Sequence, residues 1–303
     1  MDDRRLAEMK RAMTERGWRW RHGKVIAYGI QLIVSDGAAE ATLDFYPKHG
    51  RMVVGGADTP LRRTLTAMSA QRSTAVDQPP TPTVTEIGMD ESGKGDWFGP
   101  LVVAAVALTP TQALALRQAG VRDSKELDAA TLPKLAATIE QVVAPESREL
   151  LILVPERYNQ RYAELQNINL LLAELYAETA AALVGRSGAL PIVCDQFAQR
   201  AERLDSAFLR VGLPRPIQRH HAEASSMAVA AASVLATTSF QAELVRLGAV
   251  AGLGSALPKG SSALRLLSGS AQRIITREGE EALGRYAKLN FQPVRELLRR
   301  TVE

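Results

Sequence analysis

The chain has 303 residues, enough for one large domain and a smaller one. Its 46% hydrophobic content supports a proper core and its 23% charged content is ordinary for a soluble protein. No run approaches the roughly 18 uninterrupted apolar residues of a membrane helix, so no membrane partner is expected. The single Cys194 excludes an internal disulfide and a cysteine metal cluster. Met-Asp-Asp-Arg-Arg at the start is followed by no apolar signal core, which fits a cytoplasmic protein. The net charge of +4 is unevenly placed. Residues 1–80 hold thirteen Lys and Arg against nine Asp and Glu, whereas the remainder carries 24 of each. A basic appendage on a neutral body suggests a module that docks on a polyanion.

Residues 2–16 read as a charged amphipathic helix with Leu6, Met9 and Met13 on one face. Gly17-Trp18-Arg19-Trp20-Arg21-His22-Gly23-Lys24 then alternates aromatics with bases, a period-two pattern that predicts a strand. Trp18 and Trp20 would share one face and Arg19 and Arg21 the other. Aromatic platforms beside cations suit base stacking and phosphate contact, and two core tryptophans would give the same pattern. Strand signals follow at 25–34 and 41–46, with a turn at Ser35-Asp36-Gly37, and again at 52–54. Residues 61–68 read as a short helix carrying Arg62 and Arg63. Together residues 1–70 predict a small α+β domain. Residues 71–83, rich in Ser, Thr and Pro with no apolar period, read as a linker.

From residue 84 onward strands and helices alternate, which argues for a sheet covered by helices. Two strands, 84–89 and 101–108, flank Asp90-Glu91-Ser92-Gly93-Lys94-Gly95-Asp96-Trp97-Phe98-Gly99-Pro100. Helices are expected at 111–119, 131–143 and 159–183, the last interrupted near Asn167. Further strands are expected at 150–154, 191–195 and 215–220. A helix of small residues begins near Ala224. Such a helix can lie close against a sheet and hold a ligand site rigidly.

Asp90 and Glu91 end a strand, and alternation would send them to opposite sides unless the chain bends. The glycines that follow make such a bend the expectation. Two acids this close repel each other unless a cation holds them, which suggests a divalent-metal site; a solvated loop is the bland alternative. Gly88, four residues and Gly93-Lys94 fit most of a phosphate-cradling loop. Gly95, however, stands where a Ser or Thr hydroxyl should reach Mg²⁺, and the two acids would repel a nucleotide, so that reading fails. Asp195 also ends an apolar strand, and Glu223 precedes the small-residue helix. Strands ending on one sheet edge would bring such acids together. Carboxylates without cysteines suit Mg²⁺ or Mn²⁺, commonly as a pair of ions. A loop-edge acid at Asp195 and a helix-start acid favoured by the dipole at Glu223 are the equal alternatives.

The segment Gly-Met-Asp-Glu-Ser-Gly-Lys-Gly-Asp-Trp-Phe-Gly-Pro resembles the signature of the type 2 ribonucleases H, specifically the HIII form. Asp123-Ser124-Lys125, Ile192-Val193-Cys194-Asp195-Gln196-Phe197-Ala198 and Ala222-Glu223 with Val229-Ala230-Ala231-Ala232-Ser233 are similar to its further blocks. Leu257-Pro258-Lys259-Gly260 is another, and the blocks fall in order over residues 84–290. The resemblance implies a ribonuclease H-like mixed sheet flanked by helices over 84–303, preceded by a TBP-like substrate-binding domain. It implies an endoribonuclease that cuts the RNA strand of an RNA/DNA hybrid with two ions of Mg²⁺ or Mn²⁺, leaving 3′-hydroxyl and 5′-phosphate ends. No obligate protein partner is implied.

Carried over position by position, the catalytic and metal-binding quartet is Asp90, Glu91, Asp195 and Glu223. Gly93, Lys94 and Gly95 occupy a turn whose backbone is implied to read ribose 2′-hydroxyls. Ser124, Lys125 and Lys259 are implied either near phosphates or just behind the metal-binding acids, and Trp18, Arg19, Trp20 and Arg21 are candidate duplex contacts. Arg219-His220-His221 departs from the family's Ser-Thr-Lys, and Lys259-Gly260-Ser261-Ser262 lacks the tyrosine that helps related enzymes read an RNA–DNA junction. Cys194 reads as a buried strand residue. One rival reading is an HII-like enzyme acting on single embedded ribonucleotides; another is a non-catalytic hybrid- or RNA-binding protein, and the presence of all four acids argues against the latter.

Overall fold

The computed structural model of the chain describes residues 4–26, 28–47, 51–70, 83–124, 127–128, 130–188, 191–196, 201–220 and 222–301. Two compact units emerge, residues 1–76 and 77–303. Of the expected linker, only Thr83 lies within the described residues.

In the first unit, α1 (Arg4–Glu15), β1 (Arg19–His22), β2 (Ile30–Ser35), β3 (Glu40–Tyr46), β4 (Arg51–Gly55) and α2 (Pro60–Ala70) follow in order. The strands form an antiparallel meander β1-β2-β3-β4. Alternation along β2 and β3 turns Leu32, Val34, Leu43 and Phe45 inward, where Leu6, Met9 and Met13 of α1 and Leu61, Leu65 and Met68 of α2 complete one core. The strand expected at 25–34 starts only at Ile30, because residues up to Gly29 form the connection from β1. At the β2–β3 turn the Asp36 carboxylate accepts from the backbone N–H groups of Ala38 and Ala39 at 2.9 and 2.8 Å, and these bonds hold it below the usual carboxylate range.

The second unit is built on a mixed five-stranded sheet in the order β7-β6-β5-β8-β9. β5 (Glu86–Ser92), β6 (Leu101–Leu108) and β7 (Arg148–Leu153) pair antiparallel, and β8 (Ile192–Asp195) and β9 (Ile217–Arg219) continue it in parallel. Every residue of β6 is buried, as a strand covered on both faces must be. On one face its Val102, Ala104, Val106 and Leu108 pack with α3 (Pro110–Gln118), α4 (Leu132–Val142), α8 (Met227–Val250) and α9 (Leu264–Glu278). On the other, Leu101, Val103, Ala105 and Ala107 pack with α5 (Pro155–Leu165), α6 (Ile168–Ser187) and α7 (Glu202–Arg210). α10 (Gln292–Thr301) adds Val294 to the first of these cores. The break between α5 and α6 is a left-handed Gln166 followed by Asn167, whose side chain caps α6. By length and composition α6 and α8 could cross a membrane, yet they are the core helices of this unit.

α8 lies unusually close to the sheet. A Cβ on Gly88 would stand 2.0 Å from backbone atoms of both Ala228 and Val229. A glycine in β5 against the Ala228–Val229 backbone of the helix is what permits this approach.

Candidate active site

Pairing of β5 with β6 runs unbroken through Asp90↔Ala104, Glu91↔Val103 and Ser92↔Val102. The strand therefore does not bend at the two acids, which corrects that expectation: the glycine-borne turn begins two residues after Glu91, at Gly93 (φ +91°). Alternation holds, so Asp90 shares the α8 face with Gly88 and Ala104, while Glu91 shares the α6 face with Met89 and Val103.

β8 lies beside β5 with Met89 opposite Cys194, which sets Asp195 level with Asp90 at the same sheet edge. Val193, two residues earlier, packs with Ala222 and Val229, so Asp195 faces α8 as well. The backbone N–H of Ala222 approaches Asp195 Oδ1 at 3.4 Å, and Glu223 follows in a single 3₁₀ turn, 8% exposed. Ser226 caps α8 by accepting from the Val229 N–H at 3.2 Å, and its hydroxyl donates to Glu86 Oε1 at 2.6 Å, tying the helix start to β5. Asp90, Asp195 and Glu223 thus belong to one face at one edge. Glu91 lies behind them, and its carboxylate accepts from the hydroxyl of the buried Tyr176 on α6.

The buried groups beneath feel these charges. Burial pushes the Cys194 thiol up, and Glu91, Asp195 and Asp90 push it further. Burial, then Glu91 and Asp90, also raise the Tyr176 phenol. Cys194 therefore stays a packed thiol and Tyr176 a neutral donor. Carboxylate oxygens without imidazole or thiolate form the hard donor set that suits Mg²⁺ or Mn²⁺. As the side chains stand, no three His, Cys, Asp or Glu groups among the described residues gather around one point that could hold an ion.

The turn after β5 is closed by the Asp96 N–H donating to Gly93 O at 3.3 Å. A Cβ on Gly93 would meet Pro100 O at 2.3 Å, so only glycine fits there. Lys94 is half-buried and Gly95 exposed. Asp96 Oδ1 accepts the Gly260 N–H at 2.5 Å, which brings the exposed Lys259 beside this turn. Ser124 does not reach outward. It is 6% exposed, with its hydroxyl 2.8 Å from Ser233 Oγ and 2.9 Å from Thr237 Oγ1 of α8, which ties its loop to that helix. Lys125 and His221 lie outside the described residues, and His220 is exposed. In the first unit, Trp18 and Trp20 turn to the core and Lys10 Nζ sits 4.3 Å over the Trp20 ring. Both tryptophans are half-buried, and Arg19 and Arg21 are exposed. A concavity of about 550 Å³ lined by Leu170, Ala173, Glu202, Arg203, Ser206 and Arg210 carries none of the expected site residues. Tyr176 had no sequence signal, since a tyrosine within an apolar helix reads as core.

The sequence profile of the family described as Ribonuclease HII matches residues 87–294. The chain belongs to the ribonuclease HII family. Ribonuclease HIII of Protochlamydia amoebophila is 36% identical over 218 residues, 70% of this chain and 68% of that protein. Ribonuclease HIII of Chlamydia trachomatis serovar D is 36% identical over 225 residues, 71% of this chain and 70% of that protein. The crystal structure of Bst-RNase HIII in complex with Mn²⁺ is similar with a TM-score of 0.64 and 27% identity, covering 98% of this chain and 96% of that one. The mixed, helix-flanked sheet is the ribonuclease H-like fold the signature implied, and the four-stranded first unit fits a small TBP-like domain. The chain is a ribonuclease H, a nuclease of the hydrolase class, and is similar to the HIII members.

Proposed function

We propose that the chain cuts the RNA strand of RNA/DNA hybrids with the help of two divalent cations, leaving 3′-hydroxyl and 5′-phosphate ends. The observation that carries this reading is the shared face of Asp90, Asp195 and Glu223 beside the Gly93–Gly95 turn. Asp90, Asp195 and Glu223 would hold the ions together with Glu91, whose carboxylate accepts from the Tyr176 hydroxyl. When bound, Mg²⁺ or Mn²⁺ supplies the activation of water and the stabilisation of the leaving oxygen. The exposed backbone at Gly95 would meet ribose 2′-hydroxyls, the groups that distinguish RNA from DNA. Lys94 and Lys259 would meet phosphates. Residues 1–70 form a duplex-gripping domain in which Arg19 and Arg21 provide the outward cations, and residues 84–303 form the catalytic domain. The enzyme works in the cytoplasm and needs no obligate protein partner.

The test is cleavage of a hybrid labelled on either strand, with Mg²⁺ or Mn²⁺, by wild type and by Asp195→Asn. Metal-dependent cutting of the RNA strand alone, lost in the variant, is expected. Cutting that survives Asp195→Asn, or that spares neither strand, would refute the proposal.

A further inference from the structure

Lys288 is fully buried, 0% exposed, in the segment between α9 and α10. Its ammonium donates to the backbone carbonyls of Asp96 at 3.1 Å and Gly99 at 2.7 Å, the two ends of the Asp96-Trp97-Phe98-Gly99 turn. Its own backbone N–H donates to Trp97 O at 2.7 Å, and the Gly99 N–H donates back to Tyr286 O at 2.9 Å. The rings of Tyr158 and Phe240 lie 5.6 and 6.0 Å from Nζ. Asp96 supplies the attractive charge, and its carboxylate also holds the Gly260 amide. Tyr158 is the other titratable group facing the ammonium, and burial pushes its phenol up, so it is neutral. One lysine thus joins the segment that continues Gly93-Lys94-Gly95 to the loop that carries Lys259.

A buried ammonium is costly to desolvate, and an apolar side chain of similar length would fill the same space without that cost. Packing alone does not account for it. We propose that Lys288 is a positioning residue for substrate engagement: its ammonium, through the Asp96 and Gly99 carbonyls and the Asp96 carboxylate, sets the glycine turn and the Lys259 loop in one frame. This rests on the proposed function, in which those two loops meet the hybrid. The acids at the ends of β5 and β8 do not touch Lys288, so metal use is independent of it.

The test uses the full chain at pH 6, where Lys288 keeps its proton, with Lys288→Met and Asp96→Asn assayed on an RNA/DNA hybrid beside wild type. Asp96→Asn keeps an oxygen for the Gly260 amide and removes only the charge that faces the ammonium. Both variants are expected to raise KM for the hybrid at least fivefold, with kcat within threefold of wild type and the midpoint of Mn²⁺ activation unchanged. Should Lys288→Met fail to fold, Asp96→Asn alone decides. An unchanged KM in the folded variants would overturn the inference, as would a shifted Mn²⁺ midpoint. Wild type that neither binds nor cuts hybrid would overturn the proposed function and this inference with it, and is told apart because the defect precedes any substitution.

Discussion

Gly88→Ala puts the close backbone approach of α8 to β5 under strain. The added Cβ would stand 2.0 Å from Ala228 C and Val229 N, about 1.4 Å short of ordinary contact. Both neighbours are helix backbone, so no side chain can swing aside, and α8 must retreat from β5. Overpacking of this kind costs ~3 kcal/mol, the upper end of the usual range. For a unit of this size that is roughly a 6–12 °C fall in Tm. The same retreat carries Glu223, which sits just before α8, away from Asp90 on β5. A displacement of about 1 Å at a reacting centre can cost ~100-fold in rate. Thermal unfolding by circular dichroism and hybrid cleavage on the same preparation measure both. A Tm within 2 °C of wild type with full activity would refute the argument that this glycine sets the helix-to-sheet distance.

Tyr176→Phe removes the hydroxyl that holds Glu91 while keeping the ring in its core. A drop in cleavage rate of roughly tenfold, with a Tm change worth about 1–2 kcal/mol, is expected for loss of a buried hydrogen bond to a charged group; an unchanged rate would show that Glu91 needs no such support. Lys288 gives a pH signature. Burial brings its folded pKa down to about 7, below the ordinary 10.5. Above pH 7 the folded chain has shed a proton that the unfolded chain still holds, so stability rises with pH across that window and the cost of burying the charge is felt in full below it. Relative to Lys288→Met, wild type should gain ~2.7 kcal/mol between pH 6 and pH 9, read by urea unfolding at each pH. A pH-independent difference would show that the ammonium is not desolvated.

Much of this was legible in the sequence because local signals agreed with the fold. The apolar run of β6, the period-two pattern of Trp18 to Arg21 and the small-residue character of α8 each read through directly to their burial. The three strand-end or helix-start acids were visible as residues, while only the parallel register of β5 and β8 shows that two of them stand side by side. Glu91's turn to the far face depends on where the strand ends, a boundary that glycines two residues later obscure. α7, α9 and α10 had no expectation attached. α9 carries Ser268, Gly269 and Ser270, poor helix formers whose preference is overridden by the burial of Leu267, Ala271, Ile274 and Ile275. Lys288 and Tyr176 were silent because their partners lie far away in sequence.

The central claim is that Asp90, Asp195 and Glu223 form one cation site on the α8 face of the sheet edge. Calorimetric titration of the full chain with Mn²⁺, in wild type and in Asp90→Asn, Asp195→Asn and Glu223→Gln, tests it without recourse to activity. The account predicts that each of the three substitutions weakens Mn²⁺ binding at least tenfold while leaving the fold intact by circular dichroism. Wild-type affinity retained in the folded Asp90→Asn and Asp195→Asn proteins would contradict it.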